Sequence, residues 1–203
     1  MCSLVRTHIC IFLGVPVVFT QQVSTAIESM CISRGLVYAL VMTAAQPFAE
    51  LRLRVYEWDD DQLWHSDEMS DCKPPKDCRF KGQHSGHSIA ILGDFILIYC
   101  QETNNFCYMN KNLRSSTGEC FSWSDCHGQI KKPILCPNML NELELVVIDK
   151  HNNSLYKMTQ PAAAPVQLTT GPSASHVQAA FSFASHGNHF YMNTLNGLLH
   201  FDL

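Results

Sequence analysis

Glu142 to Gln160 reads ELELVVIDKHNNSLYKMTQ, and this stretch decides the fold. Leu143, Leu145 and Val147 alternate with Glu144, Val146 and Ile148, a period of two that predicts a strand with one face buried. Asp149 to Asn153, DKHNN, is turn chemistry, because Asn and Asp tolerate left-handed backbone and hydrogen-bond back to it. Leu155 and Tyr156 then open a return strand. The stretch is expected to form one β-hairpin.

The same pattern is spelled three more times. Residues 51–68 read LRLRVYEWDDDQLWHSDE, 94–111 read DFILIYCQETNNFCYMNK, and 187–203 read GNHFYMNTLNGLLHFDL. Each is an apolar strand, a turn rich in Asp, Asn or Gly, and a return strand starting at Leu63, Phe106, Leu155 or Leu198. Those anchors are 43, 49 and 43 residues apart. Self-similarity at a period of about 40 to 50 points to propeller blades of four strands each. Apolar runs before the hairpins, 36–43, 87–92, 133–140 and 177–184, are expected as inner strands. Residues 120–128, CFSWSDCHG, are expected as an outer strand. The predicted class is therefore all-β: a β-propeller of four or more four-stranded blades, incomplete in itself and completed by the N-terminal strand or by oligomerisation. A β-sandwich with four similar hairpins is the competing architecture.

Composition agrees with a sheet-rich globular chain. Of 203 residues, 46% are hydrophobic and only 16% charged, which argues against disorder. The net charge is −4 and the 14 Lys and Arg are scattered, so the clustered basic face of a nucleic-acid binder is missing. Residues 1–26 have a leader outline: Arg6, the apolar run Ile9 to Phe19, then small residues at Ser24, Thr25 and Ala26. The run is too short to span a membrane as a stable helix and predicts a signal peptide ahead of a single domain at 27–203. The competing reading of 1–26 is a strand that closes the ring.

Eight of the ten cysteines follow Ala26, an even number that suits a secreted, disulfide-stapled protein. Cys100 with Cys107 and Cys72 with Cys78 are the locally plausible pairs. Asn152-Asn153-Ser154 is a glycosylation sequon at a hairpin tip, relevant to a secreted chain. Cysteine and histidine spacings match no metal site, so neither metal nor cofactor is expected.

Leu53-Arg54-Val55-Tyr56, with Ser88-Ile89-Ala90 ahead of a later strand, resembles the fungal fucose-specific lectins. Glu144 to Val147 followed by Asn153 to Tyr156 is similar to the repeats of seven-bladed bacterial lectins. The resemblance covers roughly residues 36–203. It implies sugar sites built from an Arg, a Glu and an aromatic ring, in which the charged groups hold ring hydroxyls and the aromatic face packs on the C–H side of the sugar. Arg54 matches the Arg position, and His65 stands near the Glu position, a departure. Leu97 replaces the Arg in the second repeat, and the third and fourth also lack it. The expected carbohydrate site is therefore single: Arg54, Glu57, Trp58, Trp64 and His65. Arg54 as a solvated strand residue is the alternative.

No catalytic residues are expected. Asp59-Asp60-Asp61 is a carboxylate cluster at a hairpin tip, and no nucleophile elbow, HExxH or phosphate-binding Gly loop occurs. A sialidase-like glycosidase would need an Arg triad, and only five Arg follow Ala26. The function expected is a secreted, non-enzymatic carbohydrate-binding module whose partners are glycans, with no nucleic-acid or membrane partner and with room for a homo-oligomer. A hemopexin-like protein-interaction propeller is the alternative, suggested by Val177 to Ala184 followed by His189-Phe190-Tyr191.

Overall fold

A computed structural model describes residues 7–12, 18–23, 26–34, 36–43, 50–59, 62–65, 87–101, 104–111, 119–123, 127–131, 133–138, 140–168 and 172–203. The chain is all-β. Strands β1 (Thr7–Phe12) and β2 (Val18–Val23) pair antiparallel. Four small antiparallel sheets follow, each an up-and-down meander in chain order. The first holds β3 (Ala26–Ser33), β4 (Leu36–Thr43), β5 (Glu50–Asp59) and β6 (Gln62–His65). The second holds β7 (His87–Leu92), β8 (Phe95–Cys100), β9 (Asn105–Asn110) and β10 (Glu119–Ser122). The third holds β11 (Pro133–Pro137), β12 (Leu145–Asp149), β13 (Ser154–Met158) and β14 (Val166–Gln167). A short helix, α1 (Ala174–Ala179), precedes the three-stranded fourth sheet of β15 (Ala180–His186), β16 (His189–Thr194) and β17 (Gly197–Asp202). Among the described residues no helix is long and apolar enough to cross a membrane.

The sheets stack face to face in chain order. Leu40, Leu53 and Val55 of the first sheet pack with Ile89, Ile96 and Ile98 of the second. The other face of the second, with Leu97, Tyr99 and Phe106, packs on Leu145, Val147 and Met158 of the third. Val146, Ile148 and Leu155, on the reverse of the third, meet Phe190 and Met192 of the fourth and Val177 of α1. Each such side chain contributes about 1.5–3 kcal/mol through burial. The first strands of neighbouring sheets lie side by side: β3 on β7, β7 on β11, β11 on β15.

The 142–160 hairpin forms with the expected turn. Asp149 accepts from the His151 backbone N–H (2.9 Å) and from the Asn152 side chain (2.7 Å), and Asn153 sits in the left-handed region at φ 54°. The expectation of one buried face is corrected. All five residues of β12 are buried, because the second and fourth sheets cover it from both sides, while Leu143 is 66% exposed. Lys150 in the same turn donates to the carbonyls of Val177 (2.7 Å) and Ala180 (2.6 Å), tying the hairpin to α1 and β15.

The four repeats are also not in phase. Residues 51–68 hold β5 and β6, the third and fourth strands of their sheet, whereas the other three hairpins are second and third strands. The counterpart in the first sheet is β4–β5, so Leu36 to Thr43 is a second strand rather than an inner one. The true first strand is β3, AIESMCIS, whose Glu28 and Ser29 interrupt the apolar run and whose pairing slips at Ile27/Ser29. First strands begin at 26, 87, 133 and 180, so the repeat is regular only over its last three copies. The run at 177–184 divides likewise: Ser173 caps α1 and the strand starts only at Ala180.

Cys100 and Cys107 are free thiols, as are Cys31 and Cys136. Register explains why the expected staple across the second hairpin is missing: Cys107 stands opposite Ile98, and Cys100 opposite Asn105. Cys72 and Cys78 lie outside the described residues.

Candidate functional site

The five residues expected to hold a sugar sit on β5 and β6, but register divides them. Ala39 opposes Arg54, Tyr56 opposes His65, and Glu57 opposes Trp64. Alternate positions share a sheet face, so Arg54, Trp58 and His65 belong to the face of Tyr56. Glu57 and Trp64 belong to the other. Arg54 is half-buried and engaged by neighbours, beside a core of Val37, Ala39, Val41 and Tyr56. The side chains of Glu57, Trp58, Trp64 and His65, and the whole of Asp60 and Asp61, lie outside the described residues.

A second concentration of polar chemistry lies at one end of the stack, where the first-to-second-strand connections of all four sheets meet. Two are two-residue turns opened by Gly93 (φ +59°) and Gly187 (φ +62°), a conformation that glycine adopts without cost to a side chain. The third sheet contributes the longer connection from Asn138 to Glu144. Its Glu142 carboxylate accepts from Ser33 Oγ (2.7 Å) and Lys111 Nζ (3.2 Å) and pairs with Arg34 Nε (3.4 Å). Its backbone carbonyl accepts from the Gly93 N–H. One glutamate thus joins three sheets. Burial opposes its ionisation, yet Ser33, Lys111 and Arg34 together hold the carboxyl below the usual carboxylate range. Asn138, also buried, reaches the fourth sheet: it donates to the Gly187 carbonyl (2.9 Å) and accepts from the Gly187 N–H (2.8 Å). Leu140 and Leu143 of this connection are exposed beside Gly187 and Gly93.

A third polar set lies between β3 and β7. Glu28 Oε1 accepts from the His87 backbone N–H (2.9 Å) and is 3.1 Å from His87 Nδ1, and Ser29 Oγ accepts from the Ile89 N–H (3.2 Å). His87 stands opposite Cys100 in the β7–β8 ladder. Burial works against the imidazolium, but Cys100 and Glu28 prevail and raise the ring to about 9. Thiol, imidazole and carboxylate thus lie close together, the groups from which activated nucleophiles are built. Cys100 is only 2% exposed, however, so as folded the sulfur is closed to a substrate and the set serves to join the first two sheets.

Sequence spacing overlooked one further group. His189, His200 and Asp202 come together on the last hairpin. Their signal was the Leu195-Asn196-Gly197 turn, which sets the register and brings His189 opposite Asp202 and His200 opposite Tyr191. No protein-family model matches the chain, and no curated protein matches it.

Proposed function

We propose that this chain is a non-enzymatic recognition module of propeller type, in which each meander acts as one blade. The observation that carries this reading is the stacking of successive sheets on both faces with their first strands side by side. Such an arrangement gathers connections of one kind at each end of the stack, where a ligand can meet several blades at once. In this reading a second copy of the chain would continue the ring, or β1–β2 where residues 1–26 are retained rather than cleaved as a leader. An extracellular address belongs to the same proposal and rests on the leader outline at 1–26.

The ligand class proposed first is carbohydrate. Arg54 alternates with Tyr56 along β5 and so shares its sheet face, which sets a guanidinium position next to an aromatic one, the residue types that sugar recognition uses. Glu57 and Trp64 stand on the reverse face and fall outside this reduced site. A glycan array with the full chain is expected to show binding that Arg54→Ala abolishes. Binding that survives Arg54→Ala removes the assigned site. A protein partner is the second reading, favoured by Leu140 and Leu143, exposed on either side of the Glu142 clasp. An empty array with intact protein moves the assignment to that reading.

A further inference from the structure

The fourth sheet has one face in the core and one in water. Phe190 and Met192 point into the interface with the third sheet, so the alternate positions His189, Tyr191, His200 and Asp202 share the outer face. His189 and Asp202 are direct cross-strand partners, as are Tyr191 and His200. His189 Nδ1 lies 2.8 Å from Asp202 Oδ1, His200 Nε2 lies 3.0 Å from His189 Nδ1, and His200 Nε2 lies 3.5 Å from Asp202 Oδ1.

Protons satisfy this triangle poorly. If His189 Nδ1 carries a proton, Asp202 and a bare His200 Nε2 must share that single proton, and Nδ1 has no lone pair left for an N–H of His200. If Nδ1 is bare, it can accept from His200 but then faces a carboxylate oxygen lone pair at 2.8 Å. A cation at the centre meets all three lone pairs at once. The separations fit that role: ligands about 2.0–2.1 Å from one ion lie roughly 2.9–3.4 Å apart at octahedral to tetrahedral angles. The scaffold is also stiff. The Tyr191 ring stacks on His200 (4.9 Å between centroids, 24° between planes). Thr194 Oγ1 donates to the Gly197 carbonyl (2.9 Å) and accepts from the Asn196 N–H (3.2 Å), fixing the turn that sets the register.

We propose that His189, His200 and Asp202 form a binding site for a divalent transition metal. Two imidazoles and one carboxylate select zinc, nickel, cobalt or copper over calcium and magnesium, which prefer all-oxygen shells. The set is a three-residue one with an open position, filled by water or by His186, which pairs with His189 across the β15–β16 turn.

The test is calorimetric titration of the full chain with zinc chloride and, separately, nickel chloride. Wild type, His189→Ala, His200→Ala, Asp202→Asn and His151→Ala are compared, with cobalt absorption as a spectroscopic readout. All the substituted positions are exposed, and circular dichroism checks that each variant folds. One equivalent is expected to bind wild type and His151→Ala alike and to give cobalt bands in the visible. The affinity is expected to fall at least about tenfold in each of the other three variants, since even residues that only orient a ligand cost that much. Absence of saturable binding by wild type overturns the site. So does affinity in His189→Ala and His200→Ala equal to that of wild type.

Discussion

Replacing Trp123 by Ala is expected to lower the unfolding free energy by about 4 kcal/mol, within the range for large aromatic truncations in a core. Trp123 follows β10 and is fully buried. Its indole Nε1–H donates to the Ile130 carbonyl (3.0 Å) and its backbone N–H to the Asn104 carbonyl (2.9 Å). The ring meets Tyr99 and Phe106 edge-on at 5.5 and 5.2 Å, and His127 at 4.6 Å. It thereby fills the junction between the second sheet, the loop at 127–131 and the third sheet. The truncation leaves a cavity, unpairs a buried carbonyl and removes three aromatic contacts. Trp123→Phe keeps most of the packing and loses only the hydrogen bond, so a smaller deficit of about 1–3 kcal/mol is expected for it. Urea denaturation of the three proteins checks the order. Equal midpoints for wild type and Trp123→Ala contradict the packing described.

The second large effect concerns pH. His87 is buried and rises from its ordinary 6.5 to about 9, against the pull of burial, through Cys100 and Glu28. Between those two values the native state holds a proton that the unfolded chain has released. Its contribution to stability is therefore complete below about pH 6.5 and is lost as the pH climbs through 9. At 1.36 kcal/mol per unit the contribution is at most roughly 3 kcal/mol. Glu28→Gln preserves size and removes the charge. At pH 6 it is expected to cost about 2 kcal/mol, the scale of a hydrogen bond to a charged group. It is also expected to flatten the fall in stability between pH 6.5 and 9. Urea midpoints at pH 6, 7.5 and 9 for both proteins decide the matter: parallel pH dependences would mean that another group titrates.

Much of the architecture is legible in residue patterns, and the failures have physical causes. The hairpin at 142–160 was readable because Asp149 and Asn153 supply the turn that their side chains favour. Its two-sided burial was signalled as well: Val146-Val147-Ile148 is a continuous apolar run, which belongs to a strand covered on both faces rather than one. β3 was illegible because Glu28 and Ser29 break its apolar pattern to serve partners on β7, a demand visible only once the two strands are neighbours. The proposed sugar site shows the same limit. Glu57 and Trp58 are adjacent in sequence, but a strand sends adjacent residues to opposite faces, so closeness along the chain did not keep Glu57 on the face of Arg54. The His189, His200 and Asp202 group is the converse case. His200 and Asp202 are two residues apart on β17, but His189 lies on the neighbouring strand, and only the register set by the Leu195-Asn196 turn brings it to them.

The central claim is that an interior sheet is covered on both faces by its neighbours in the chain, and β8 offers the most direct test. Leu97 and Ile98 are consecutive and fully buried, Leu97 toward the third sheet and Ile98 toward the first. Urea denaturation of Leu97→Ala and Ile98→Ala is expected to show that each costs about 2–5 kcal/mol. A loss confined to one of the pair, with the other within about 0.5 kcal/mol of wild type, is the behaviour of a surface position. That outcome would mean a sheet with one face in water, and it would contradict the stack.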